Sequence, residues 1–198
     1  MRLTTKEITI TALFTVLMII SGKLVIPLSI VPITMQTTVS LLSGLILGRR
    51  GALRVHMLYL FMGLIGLPVF ASGGGIAYVL QPSFGYLPGM AVGSWLVGLL
   101  ADQADLRQQQ LRNWQAILAN LLGLFVIYAF GVGYLYFLHH FYTDGSITFI
   151  RAIQVGMLPF IAIDGVFAVA VAFAAPALRR STYLWREQNK RSADPVRD

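Results

Sequence analysis

Met157-Leu-Pro-Phe-Ile-Ala-Ile-Asp-Gly-Val-Phe-Ala-Val-Ala-Val-Ala-Phe-Ala-Ala-Pro-Ala-Leu178 is apolar, Gly or Pro at every position except Asp164. A run of about 20 such residues is long enough to cross the hydrocarbon core of a bilayer as a helix. A carboxylate at that depth costs roughly 2.5–3.5 kcal/mol on insertion scales. It is retained where a ligand, a proton or a partner uses it, or where another helix buries it. The remaining acids, Glu7, Asp102, Asp105, Asp144, Glu187, Asp194 and Asp198, fall at segment ends, in loops or in the tail. Asp164 is therefore the one acid whose position demands an explanation.

Composition extends this reading to the whole chain. Of 198 residues 57% are hydrophobic and 12% charged, about half the charge of a soluble domain, which carries roughly 25%. The expected class is an all-α integral membrane protein. With no Cys, a disulfide, a thiolate metal site and a Cys nucleophile are excluded. No small-residue cleavage site follows Met1-Arg-Leu-Thr-Thr-Lys6, so the first apolar run is expected to be a retained helix.

Six apolar segments can be drawn, at about 5–22, 31–48, 52–68, 84–101, 114–138 and 157–178. Sorting the 15 Lys and Arg residues by the resulting loops leaves only Lys23 and Arg151 on one side. Basic residues collect on the cytoplasmic side of membrane proteins, so both termini are expected there, with six transmembrane helices in the cell (inner) membrane. The net charge of +7 is thereby assigned to the membrane surface and not to nucleic acid. Residues 1–180 form the expected membrane domain and 181–198 a basic cytoplasmic tail, disordered beyond its first turns.

Polar residues mark candidate sites. Pro32 suits the first turn of a helix, which would place Thr34, Gln36, Thr37 and Thr38 just inside the outer face, where they need partners or line a cavity. Thr11, Ala12 and Thr15 are small residues that allow close approach of another helix, within this chain or from a partner. His56 reads as structural. Gly73-Gly-Gly75 lies in an uncharged outer segment, 70–83, that can serve as a lid or a connector; no Gly-Lys-Ser/Thr follows it, so it is no phosphate loop. Gly85, Gly89 and Gly93 form a stripe for helix packing. Asp102 to Arg112 is expected as a loop, as is His139-His140, where adjacent histidines make a poor metal site. Ile150, Ile153 and Met157 predict a short amphipathic outer helix before the sixth span. That places Asp164 about 9 Å below Leu158, at 1.5 Å per residue.

Val31-Pro-Ile-Thr-Met-Gln-Thr37 resembles the signature of the BioY family, the biotin-binding S components of energy-coupling-factor vitamin transporters. The similarity continues through Leu45-Ile-Leu-Gly48, Leu58 to Ala71, Gly73-Gly-Gly75, Pro82 to Leu87 and Leu158 to Asp164. It implies a non-enzymatic membrane protein that captures biotin outside and delivers it by docking to a transmembrane coupling subunit with two ATPases. It implies no cofactor, and it is compatible with a homo-oligomer. With biotin as the expected ligand, the chemistry of the residues assigns Asp164 to the ureido N–H groups, Thr34 and Gln36 to the ureido carbonyl, Tyr86 to the ring and Gly74 to the loop over it. The small residues of the first helix, here Thr11, Ala12 and Thr15, are implied for docking.

Two positions depart from the family pattern: Ile163 replaces the usual Gly before the acid, and Phe167 the usual Lys three residues after it. Lys23 and Arg151, the only outer basic residues, are the candidates to replace that charge. The competing reading is a stand-alone proton-coupled or facilitative transporter of biotin or a related precursor, with Asp164 as the proton site. An intramembrane aspartyl protease is excluded for want of a second membrane acid.

Overall fold

The computed structural model describes residues 4–26, 31–106, 111–142 and 147–193. Helix α1 (Thr5–Lys23) starts at a capping box, in which Thr4 Oγ1 accepts from the Glu7 backbone N–H and the Glu7 carboxylate accepts from that of Thr4. Two reciprocal bonds thus satisfy donors that a helix start leaves unpaired. Along α1 the hydroxyls of Thr9, Thr11 and Thr15 donate back to the carbonyls of Thr5, Glu7 and Thr11. Their polarity is spent within the helix, so the threonines pack as small residues.

After α1 the chain forms an antiparallel two-stranded ladder, β1 (Val25–Ile26) against β2 (Ile33–Thr34). This corrects the expectation that Pro32 opens a helix. The neighbours Val31, Ile33 and Thr34 are β-branched and favour extended backbone, and helix α2 (Gln36–Leu64) begins only after them.

α2 is broken at Gly48, whose φ of 71° and ψ of 177° are non-helical. In a continuous helix Gln36 and Tyr59 would lie about 35 Å apart. Instead Gln36 Nε2 is 2.6 Å from the Tyr59 hydroxyl, and Ser40 Oγ is 2.9 Å from His56 Nε2. The chain therefore folds back on itself at Gly48, giving two antiparallel arms, 36–47 and 49–64. A positive φ is available to glycine at no steric cost, and a Cβ here would also run into the Asp102 carboxylate.

A single-turn 3-10 segment, Ile76–Leu80, precedes α3 (Tyr86–Leu106), α4 (Asn113–Tyr142), the short α5 (Phe149–Gly156) and α6 (Leu158–Ala193). α3 lies between the α2 hairpin and α4, and α6 packs on α2 and α4. The glycine stripe packs closely on a neighbouring helix as expected, and that helix is α4: a Cβ at Gly85, Gly89 or Gly93 would collide with Tyr134, Phe130 or the Gly123 carbonyl. α5 is capped by Thr148, which accepts from the Arg151 N–H, and matches the predicted amphipathic helix.

Three expectations need correction. Asp102 is on α3, not in a loop, because it caps the backbone N–H of Arg49 at 3.1 Å and pairs with Arg179 at 2.7 Å. His139 and His140 belong to the last turn of α4, where His139 Nδ1 meets the Leu135 carbonyl and the His140 ring stacks on Tyr136. The tail continues α6 to Ala193; it holds no Gly, and no Pro lies between Pro176 and Pro195 to interrupt a helix.

Among the described residues, three helical stretches are long and apolar enough to cross a membrane: Thr5–Lys23, Asn113–Tyr142 and Leu158–Ala175, with mean hydropathies of 1.4, 2.1 and 2.2. Large apolar side chains such as Ile8, Val16, Phe125 and Val166 are exposed on them, as lipid contact requires.

Candidate functional site

One end of the bundle carries the ladder, the segment between α2 and α3, and α5. Here α2, α3, α4 and α6 converge on a small cavity. Its walls include Thr34, Gln36 and Thr37 from the ladder and first arm, Tyr86 and Met90 from α3, Tyr128 from α4, and Phe160 and Asp164 from α6. Ala71, Tyr78 and Ser83 cover it. The volume is about 40 Å³, room for roughly three waters.

Asp164 is buried, and Tyr128 donates its hydroxyl to Oδ2 at 2.7 Å. Thr37 lies against the same carboxylate. A carboxylate offers about four lone-pair sites, so these two neighbours leave acceptor capacity facing the cavity. Asp164 thus has hydroxyl partners and, among the described residues, no cation beside it. Thr37, expected among the polar residues that need partners or line a cavity, does line it; Tyr128 is the main member that sequence reasoning missed. Tyrosines abound near the ends of spans, and nothing in spacing says which one faces an acid on another helix.

Gln36 is held on all sides. Its amide donates to the Tyr59 hydroxyl and, at 3.4 Å, to the Met18 carbonyl. A Cβ at Gly22 would touch that amide, so only glycine lets α1 pass this close. Tyr59 in turn donates to the Val69 carbonyl at 3.2 Å. Thr34 reaches Gln36 Oε1 only at 3.5 Å, which leaves its hydroxyl able to turn toward a ligand. Tyr86 lines the cavity with its ring while its hydroxyl donates to the Gly156 carbonyl at 2.6 Å. Its ring lies over Gly131, where any Cβ would overlap it.

The glycine-rich segment is a folded cover, anchored through its backbone. Phe70 and Gly73 pair as a two-residue bridge, and Gly75 N–H donates to the Gly63 carbonyl at 2.7 Å. Tyr134 donates to the Val79 carbonyl, and Lys23 Nζ donates to the Phe70 carbonyl at 2.7 Å. Phe70 and Tyr78, with ring centroids 4.6 Å apart, are both buried. Gly73 and Gly75 have positive φ. Gly74 packs its Cα against the Leu67 and Gly63 carbonyls, so it shapes the cover and does not line the cavity.

The remaining candidates lie elsewhere. Lys23 and Arg151 do not line the cavity; Arg151 is exposed on α5, 3.4 Å from Gln154 Oε1. Thr15 is buried and Thr11 half-buried, whereas Ala12 is exposed, so the three docking candidates do not share one open face. His56 is fully buried, between Ser40 and the Ala52 carbonyl.

The described residues thus form an all-helical membrane protein with a small cavity, lined by aromatic rings and hydroxyls, around one acid at one end of the bundle. A sequence profile of the BioY family matches residues 1–183. The chain is 36% identical over 174 residues to a probable biotin transporter BioY of Lysinibacillus sphaericus, covering 88% of this chain and 87% of that one. It is 33% identical to the biotin transporter BioY of Thermotoga maritima, over 85% of this chain and 92% of the relative. The crystal structure of an S-component for biotin from an ECF-type ABC transporter superposes with a TM-score of 0.76 at 26% identity, covering 90% of this chain and 95% of that one. The chain belongs to the BioY family, a family of transport proteins and not of enzymes.

Proposed function

We propose that this chain is the biotin-capturing S component of an energy-coupling-factor uptake system. Its six helical segments, counting the two arms of α2, span the cell (inner) membrane with both termini in the cytoplasm and the covered cavity outside. The distribution of basic residues supports this orientation: Arg49, Arg50, Arg54, Arg112 and Arg179 all fall at or beyond the Gly48 end of the bundle.

The observation that carries the reading is the convergence of Asp164, Tyr128, Thr37 and Thr34 in one cavity under aromatic rings. Biotin presents a flat ureido group with two N–H donors and one carbonyl. Asp164 accepts the N–H groups, Thr34 donates to the carbonyl, and Gln36, fixed by Tyr59, sets the register of the wall. Tyr86 and Tyr78 cover the apolar bicycle. Because the free space of about 40 Å³ is smaller than biotin, the cover over it moves on entry. Delivery inward uses a transmembrane coupling subunit and two ATPases, since this chain has no nucleotide-binding loop in its sequence.

Equilibrium binding of biotin to the purified protein, with desthiobiotin and thiamine as competitors, tests the ligand. Competition by desthiobiotin and not by thiamine is expected, and absence of biotin binding refutes the reading. Uptake in proteoliposomes then tests delivery: import requiring the coupling subunit and ATP supports it. Import by this chain alone under a pH gradient would favour the stand-alone transporter.

A further inference from the structure

We propose that Lys23 holds the carboxylate of the bound ligand while keeping its bond to the cover, so that one ammonium joins ligand and lid. This rests on the biotin reading above. Asp164 and the ligand's carboxylate are both anions and repel each other, which puts the two ends of the ligand at opposite walls. The family's usual lysine is Phe167 here, so the helix that bears Asp164 supplies no cation at that position.

Two basic residues belong to this end of the bundle, and the structure separates them. Arg151 sits on the exposed side of α5 with its guanidinium on Gln154. Lys23 is bound 2.7 Å from the Phe70 carbonyl. Phe70 precedes Ala71, which covers the cavity, and Gly22, which precedes Lys23, packs on the Gln36 amide, part of the cavity wall. Both chain segments that meet at Lys23 are thus one residue from the cavity, on the wall formed by Gln36 and Ala71.

The chemistry suits a bridge. An ammonium has three donors, and among the described residues Lys23 spends one, on Phe70. A carboxylate is a stronger partner for it than a neutral carbonyl, by roughly a factor of two in bond strength. The Phe70 carbonyl also accepts from the Gly73 N–H at 3.3 Å, so when the lid opens and Lys23 lets go, that oxygen keeps a partner. Opening is therefore cheap, and reclosing over an anionic ligand is favoured over reclosing on a neutral one.

The test compares biotin with its neutral carboxamide. The wild-type protein is expected to prefer biotin by about tenfold, the scale of one partly exposed charge-assisted bond. Lys23→Met should collapse that preference to within about twofold, and Lys23→Arg should retain most of it. A preference that survives Lys23→Met, or that disappears in Arg151→Gln instead, overturns the proposal. Independently of any variant, saturating biotin should slow backbone hydrogen exchange in residues 70–81 more than saturating carboxamide does; equal protection also overturns it. Wild-type protein that binds neither compound refutes the biotin reading itself, an outcome distinct from binding both equally.

Discussion

Two acids anchor opposite ends of this molecule, and their surroundings differ in kind. At the Gly48 end, Asp102 accepts from the Arg49 backbone N–H and from Arg179, whose guanidinium also donates to the Leu45 carbonyl. The Arg179 side chain is only 4% exposed, and Asp102 closes the hairpin turn of α2 against α3 and α6. At the other end, Asp164 meets hydroxyls and a cavity. An acid whose acceptors are taken up by a cation and a helix start holds the fold together. An acid with hydroxyl neighbours and an open side is positioned to take up something else. Burial alone does not distinguish them; the identity of the partners does.

That contrast can be broken by replacing each acid in turn with its amide. Asp164→Asn replaces acceptor capacity with an N–H that faces the ligand's own N–H groups, and should weaken biotin binding by about a hundredfold. The melting temperature should stay close to wild type, because no buried cation loses its partner. Unchanged affinity in a binding titration would remove Asp164 from the site. Asp102→Asn should do the reverse. It removes the charged partner of a buried arginine that keeps its bond to the Leu45 carbonyl, which costs about 2 kcal/mol after allowance for the partial exposure of Asp102. Thermal or denaturant unfolding should register the loss while biotin affinity holds within about twofold; a large affinity change with normal stability would show that the two ends are not separate. A smaller effect is expected for Tyr128→Phe, which deletes one hydroxyl bond to Asp164 without changing shape. Biotin should bind roughly fivefold to tenfold more weakly, and Tyr128→Phe combined with Asp164→Asn should cost less than the two effects added. Full additivity would mean that the two residues contact the ligand independently.

Legibility followed the range of the physics involved. Asp164 could be found from sequence because the cost of a charge in an apolar run is a local property. The amphipathic α5 and the glycine stripe of α3 were legible for the same reason: their spacing is their mechanism. Thr34 and Gln36 were recognisable as polar groups needing partners. Which partners they have was not, since Gln36 meets Tyr59 only because the chain reverses at Gly48. The same limit applied to α1, where spacing grouped Thr11, Ala12 and Thr15 but packing turned Thr15 inward and Ala12 outward. At Pro32 a local rule misled. Proline suits a helix start, yet the extended preference of its β-branched neighbours and their pairing with Val25 and Ile26 prevailed.

The sequence by itself determined that this chain belongs in a membrane, that one acid lies at depth, and which polar residues surround the family motif. These follow from solvation and periodicity, which act over a few residues. Only the tertiary structure decided that Tyr128 and Thr37 attend Asp164, that the triple glycine is a packed cover, and that Lys23 is bound to it. Those are meetings between residues tens of positions apart, fixed by helix packing and by the positive φ of Gly48, and no local pattern encodes which helix faces which.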